Sequence, residues 1–121
     1  NKVLGLSQIL AYALPSGEVL HINFDNETIK QFLDISGNNN HGIKKYGVSS
    51  VNGGIKGSRA GKFSGAIQNV DLGNISALNL DKNFSISVWV KIPSNGGGHI
   101  INRYTSCNGR DAVYNLYVHR S

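Results

Sequence analysis

The stretch NFSISVWVKIP, residues 83–93, decides the fold. Phe84, Ile86, Val88, Val90 and Ile92 fall at every second position, with Ser85, Ser87, Trp89 and Lys91 between them. On a cylinder of 3.6 residues per turn such a set would scatter to all sides, whereas on a pleated strand it forms one apolar wall. The β-branched and aromatic content agrees with a strand. Pro93 cannot donate to a ladder, and the run from Ser94 to Gly98 ends the element. A strand of this length is expected to cross the middle of a sheet, with its apolar wall packed on a second layer.

The chain has 121 residues, enough for one domain with a real core. Its 15 glycines point to many tight turns and few long helices. A formal charge of +5 raises the question of nucleic acid. The basic residues are scattered singly or in pairs, with neither a basic helix nor an aromatic–basic RNA motif, so nucleic acid is not expected as a partner. The single cysteine, Cys107, has no internal partner and reads as a loop thiol or as a partner for a cysteine outside this chain. No run approaches the roughly 18 apolar residues of a membrane-spanning helix, and no membrane insertion is expected.

Residues 2–14, KVLGLSQILAYAL, are the only candidate helix, because Leu6, Ile9, Leu10, Ala13 and Leu14 share a face at i, i+3, i+4 spacing. The same residues also imitate a truncated secretory signal, with Lys2, a short apolar run and Ala11-Tyr12-Ala13 as a small-residue site. On either reading residues 1–17 stand outside the main domain, which occupies 18–121, with Pro15-Ser16-Gly17 as the joint. Val19 to Phe24 alternates Leu20, Ile22 and Phe24 against Val19, His21 and Asn23 and is the first expected strand. Ile29 to Leu33 fits a short strand or one helical turn. The run Asp34 to Gly42 has almost no side chain suited to a core and reads as a fixed turn, held by Asp and Asn side chains.

From Gly42 the chain becomes a series of short strands and frequent turns, the pattern of an all-β sandwich. Strands are expected at Ile43–Val48, Arg59–Phe63, His99–Tyr104 and Val113–His119, and at Ala66–Leu72, where Ile67, Val70 and Leu72 carry the buried side. Asn52-Gly53-Gly54 and Asn108-Gly109 are turn signals, and Ile75–Leu80 is a connection with Leu78 and Leu80 inward.

In order, these pieces resemble a known family. Phe24-Asp25, the D-x-S-G-N-x-N-x-G turn from Asp34 to Gly42, G-K-F-S-G-A at 61–66, V-D-L-G at 70–73, L-N-L at 78–80 and F-S-I-S-V-W-V-K at 84–91 are similar to the first half of a laminin G-like domain of the concanavalin A-like lectin/glucanase superfamily. The similarity runs over roughly residues 20–104. It implies an antiparallel jelly-roll sandwich, incomplete at the C-terminal side, with a larger polypeptide or a partner subunit completing it. It also implies a structural calcium near the 34–42 turn, where Asp25, Asn38 and Asn40 are candidate ligands. Asp34 is either a fourth ligand or a backbone-bonding turn cap. Calcium takes six to eight oxygens at flexible geometry, and this stretch concentrates carboxylate, amide and carbonyl oxygens. A metal-free turn held by the same side chains is the alternative.

For a ligand the candidates are Trp89, on the wall opposite Phe84, Ile86 and Val88, together with Arg103, Tyr104 and Tyr114. A ring on an open face can stack on a sugar while its N–H finds a polar partner; a tryptophan covered by a second layer is the plainer alternative. Hydrolases of the superfamily carry E-x-D-x-x-E on one strand, which supplies acid and nucleophile together. The chain has no such strand, its only glutamates being Glu18 and Glu27, so no enzymatic activity is expected. Gly57 to Lys62 is one residue short of a phosphate loop, and Phe63 follows it. The expectation is therefore a non-catalytic module, secreted or at a cell surface, that binds a glycan or an extracellular protein. The competing expectation is an assembly domain that joins another chain through its sheet edge.

Overall fold

The computed structural model describes residues 4–13, 17–55, 58–64, 67–76, 83–94, 96–104 and 112–119. Among these the chain is all-β, with antiparallel sheets and no α-helix. In order the strands are β1 (Leu4–Ala13), β2 (Gly17–Ile22), β3 (Gln31–Phe32), β4 (Gly42–Lys45), β5 (Ser49–Asn52), β6 (Arg59–Phe63), β7 (Asn69–Asp71), β8 (Phe84–Lys91), β9 (Gly98–Tyr104) and β10 (Ala112–Val118).

The largest sheet is built around β1. Along one edge β1 pairs first with β6, Leu6 opposite Gly61, and then with β2, Ile9 opposite Ile22. Its other edge pairs with β8 from Gly5 opposite Lys91 to Ala13 opposite Phe84, and β5 extends the sheet beyond β6. The helix expected over 2–14 is therefore overturned for every described residue of that stretch. Residues 4–13 are not set apart either, because they are hydrogen-bonded to three other strands.

A bulge explains the false periodicity. Ser7 lies opposite Trp89 and Ile9 opposite Val88, so Gln8 is an extra residue in β1, and its φ is 51°. Leu6 and Ile9 stand three apart, yet both reach the core, at 4% and 7% exposure. Ala11 and Ala13 then follow at the ordinary period of two. A second bulge corrects the reading of β2. Tyr12 pairs with Glu18 and Ala11 with Leu20, which leaves Val19 as the extra residue. Val19, expected on the outer side, is buried next to Leu20.

The inner face of this sheet shares one apolar cluster with residues from the rest of the molecule. Phe24, Phe32, Leu20 and Ile22 are its largest fully buried side chains, and the Phe24 and Phe32 rings meet edge to face at 4.8 Å. Val70 and Leu72, from the β3–β4–β7 sheet and its end, and Ile100 and Ile101 of β9 pack against the same cluster. Each such side chain contributes about 1.5–3 kcal/mol when fully withdrawn from water. Gly61 lets the Phe24 ring lie on the sheet: a β-carbon there would fall 2.5 Å from the ring.

β8 alternates as its sequence requires, with Phe84, Ile86, Val88 and Val90 half-buried on the core and Ser85, Ser87, Trp89 and Lys91 exposed. It does not cross the middle of the sheet, however. Among the described strands it pairs with β1 alone, and β1 takes the central place. β9 and β10 form the expected pair of strands, and β6 has the expected bounds. The strand expected over 43–48 stops at Lys45, since Tyr46 and Gly47 both take left-handed angles (58° and 82°) and turn the chain into another sheet. Ile67 is 65% exposed and does not share the buried side of Val70 and Leu72. Leu78, Leu80, Cys107 and the Asn108-Gly109 turn lie outside the described residues.

Candidate functional site

With alternate residues of β1, β2 and β8 committed to the core, the residues between them make up the opposite face. The registers set Glu18, Tyr12 and Ser85 in one row across three strands, and His21, Leu10 and Ser87 in the next. Trp89 stands one row further along, opposite Ser7. Trp89 is 49% exposed and Tyr12 42%, so neither ring is covered by a second layer. At about 3.3 Å per residue, the four residues from Ser85 to Trp89 separate these rows by about 13 Å. The Tyr12 hydroxyl donates to Glu18 Oε2 at 3.3 Å, and His21 Nδ1 lies 3.7 Å from Glu18 Oε1. The face thus carries two aromatic surfaces with hydroxyl, imidazole and carboxylate groups between and beside them. Rings of this kind stack on the C–H faces of sugars, and the polar groups can fix hydroxyl positions.

The 34–42 turn is built as a cap. Asp34 is buried, and its Oδ1 accepts from the backbone N–H groups of His21 (2.8 Å) and Ser36 (3.0 Å). Its Oδ2 accepts from the Ser36 hydroxyl and the Asn40 N–H, each at 2.9 Å. Burial works to raise the pKa of this carboxyl, but the converging donors outweigh it and hold the group below its ordinary value. Asn38 and Asn40 direct their amide nitrogens at the carbonyls of Glu18 (3.0 Å) and Val19 (2.8 Å), which ties the turn to the start of β2. Asp25 serves elsewhere: its Oδ1 accepts from the Ser58 N–H and hydroxyl and from the Arg59 N–H at 2.8 Å, anchoring the entry to β6.

The four candidate calcium ligands therefore do not form one oxygen cage. N–H donors, which a cation would repel, point at the carboxylates, and the two asparagines act as donors. The turn-cap alternative for Asp34 matches this geometry. Among the described residues no group of three or more His, Cys, Asp or Glu side chains is gathered for a metal.

Trp89 does not share a groove with Arg103 or Tyr114. Tyr114 stacks on Phe84 at 4.9 Å between centroids, and Phe84 lies on the core side of β8, opposite to Trp89. Arg103, paired across strands with Tyr114, donates from Nη1 to the Ile75 carbonyl at 2.9 Å and from Nη2 to Asn74 Oδ1. Burial raises the Tyr114 pKa, and the neighbouring Arg103 offsets part of that rise. These two residues help line a cavity of about 60 Å³ between β9–β10 and the inner face of the large sheet. That space suits water rather than a sugar ring. The Tyr104 side chain lies outside the description.

Fold and site together define an all-β antiparallel protein with an aromatic and polar sheet face on which the Tyr12 and Trp89 rings are about half exposed, while Ser7 beside Trp89 is buried. Comparison with protein-family models, with curated proteins and with solved structures gives no match. Tyr12, Glu18 and His21 are the site residues absent from the candidates read from sequence. Tyr12 stood on a segment read as helix or signal, and only the strand register brings it beside Glu18 and His21.

Proposed function

We propose that this chain is the N-terminal portion of a laminin G-like jelly-roll sandwich, and that it acts as a non-catalytic recognition module of an exported or cell-surface protein. Its ligand is a glycan, held on the outer face of the large sheet by Trp89 and Tyr12, with Glu18 and His21 reading hydroxyl groups. The observation that carries the reading is the exposure of both rings on one face, with the Glu18–His21 pair beside Tyr12. The carboxylates support binding rather than hydrolysis. Glu27 is engaged by Lys44 at 2.9 Å and by the Ser50 hydroxyl, and Asp25 and Asp34 are taken up by backbone donors.

Trp89 is the sole tryptophan, so its fluorescence reports on this face directly. Titration with an array of neutral and acidic oligosaccharides should give a saturable change for at least one of them. Tyr12→Ala, followed by Trp89 fluorescence, and Trp89→Ala, which removes that probe and is followed by the His21 resonances, should each weaken that binding about tenfold, the worth of one good ring contact. An array that leaves the fluorescence and the Tyr12 and His21 resonances unmoved defeats the proposal. A second reading, assembly through the sheet edge, is favoured by β8, which has one described neighbour.

A further inference from the structure

The direction of the backbone groups along β8 follows from β2. The His21 N–H donates to Asp34 Oδ1 and the His21 carbonyl accepts from the Ile35 N–H, so both point away from β1. His21 and Leu10 are therefore a non-hydrogen-bonded pair, and the Leu10 N–H and C=O point the other way, to Ser87 of β8. Ser85 and Ser87 thus bond to β1, while Phe84, Ile86 and Val88 direct their N–H and C=O groups at the opposite edge. Among the described strands no neighbour pairs there. The edge also lacks the usual protections: β8 has no proline or extra residue of its own, and its single charge is Lys91 at the end.

We propose that this edge pairs with a second copy of itself, antiparallel about a two-fold axis at Val88, joining two large sheets into one. The inference rests on the assembly reading of the edge and is independent of the glycan face. A second copy fits because the strand is self-complementary. The apolar wall Phe84, Ile86, Val88, Val90, Ile92 is centred on Val88, so this axis sets Phe84 against Ile92 and Ile86 against Val90, apolar side on apolar side. Ile86 and Val88 meet their partners as hydrogen-bonded pairs. Each Lys91 falls opposite the Ser85 of the other copy, not opposite the other lysine, so the only charge on the strand does not oppose the pairing.

The test combines mass with residue-resolved amide exchange on the whole chain, from low micromolar to millimolar concentration. The expected result is a concentration-dependent dimer in which the Ile86 and Val88 amides become protected at least about tenfold on association. The Ser85 and Ser87 amides, bonded to β1, should be protected at every concentration. Ser85 is exposed and carries a two-way check: Ser85→Lys would face Lys91 across the axis twice and weaken the dimer about fivefold, and Ser85→Glu would strengthen it by a similar factor. A monomer throughout, with fast exchange at Ile86 and Val88, overturns self-pairing while leaving an edge open to a different strand. Protection of those two amides at every concentration means that the edge is already closed within the chain and overturns the assembly reading as well. A dimer that forms without protecting them also overturns the proposal.

Discussion

Replacing Asp34 is the sharpest perturbation of this fold, because one carboxylate holds four donors from three places in the chain. In Asp34→Ala the His21 N–H, inside the junction of β2 with the turn, loses its acceptor, a cost of about 1–3 kcal/mol for a buried donor. The Ser36 and Asn40 groups lie nearer to water, which can replace the carboxylate, and each costs about 0.5 kcal/mol. The total, about 3 kcal/mol, corresponds to a fall in Tm of about 12 °C for a domain of this size. Asp34→Asn keeps one oxygen and loses the charge, and should cost about half as much. Urea unfolding measures both, with the midpoint moving and the slope unchanged.

The same residue fixes a pH signature. The folded pKa of Asp34 lies below its unfolded value of about 3.9, so its contribution is fully present above that value and is lost as pH falls through the folded pKa. The stability gap between the parent chain and Asp34→Asn should therefore close on acidification below about pH 4. Because the carboxylate is occupied by N–H donors, chelating calcium should leave the parent Tm unchanged. A cost below about 1 kcal/mol for Asp34→Ala would refute the cap. A calcium-dependent Tm would refute the donor assignment.

Two further substitutions test the large sheet. Gly61→Ala would put a methyl group 2.5 Å from Cε1 of Phe24, a ring 1% exposed and wedged against Phe32, and should destabilise by about 1–3 kcal/mol in urea unfolding, where an open site would gain from the same change. Gln8→Gly should be neutral or stabilising by up to about 1 kcal/mol, since glycine relieves the left-handed angle at the bulge. A helix over 2–14 demands the opposite sign, a loss of about 1 kcal/mol.

The strands that could be read from sequence are those whose alternation runs unbroken. β8 has eight residues in strict alternation, and β6 is bounded by turn residues, so both stand where their sequences put them. Where a bulge adds a residue, the period changes, and pattern reading fails in a specific way. In β1 the extra Gln8 puts Leu6 and Ile9 three apart on one face, which is the spacing of a helix. In β2 the extra Val19 turns two neighbours inward, which no period of two can anticipate. The Asp34 turn was legible from its Asp, Asn and Gly content, because such residues bond their own backbone. The reach of Asp34 to His21 and of Asp25 to Arg59 was not, because those contacts are made by folding and leave no local mark.

The Gln8 bulge also bears on how one strand serves three partners. A regular strand has two edges and a single register on each. The extra residue kinks β1 between Ser7 and Ile9, and the edge that faces β6 on one side of the kink faces β2 on the other. At the kink the Ser7 hydroxyl accepts from the Ile55 N–H at 3.2 Å, so the loop between β5 and β6 is fastened where the two strands part. The second edge meets β8 on both sides of the kink, which keeps the apolar residues of β8 over one core despite the break in β1. Removing Gln8 altogether would leave Leu6 and Ile9 two apart, so Leu6, Ile9, Ala11 and Ala13 would stay on one face in unbroken alternation and only the kink would be lost. The bulge is therefore tied to the change of partner along one edge of β1, from β6 to β2, while the alternation of the core residues on either side of it is kept.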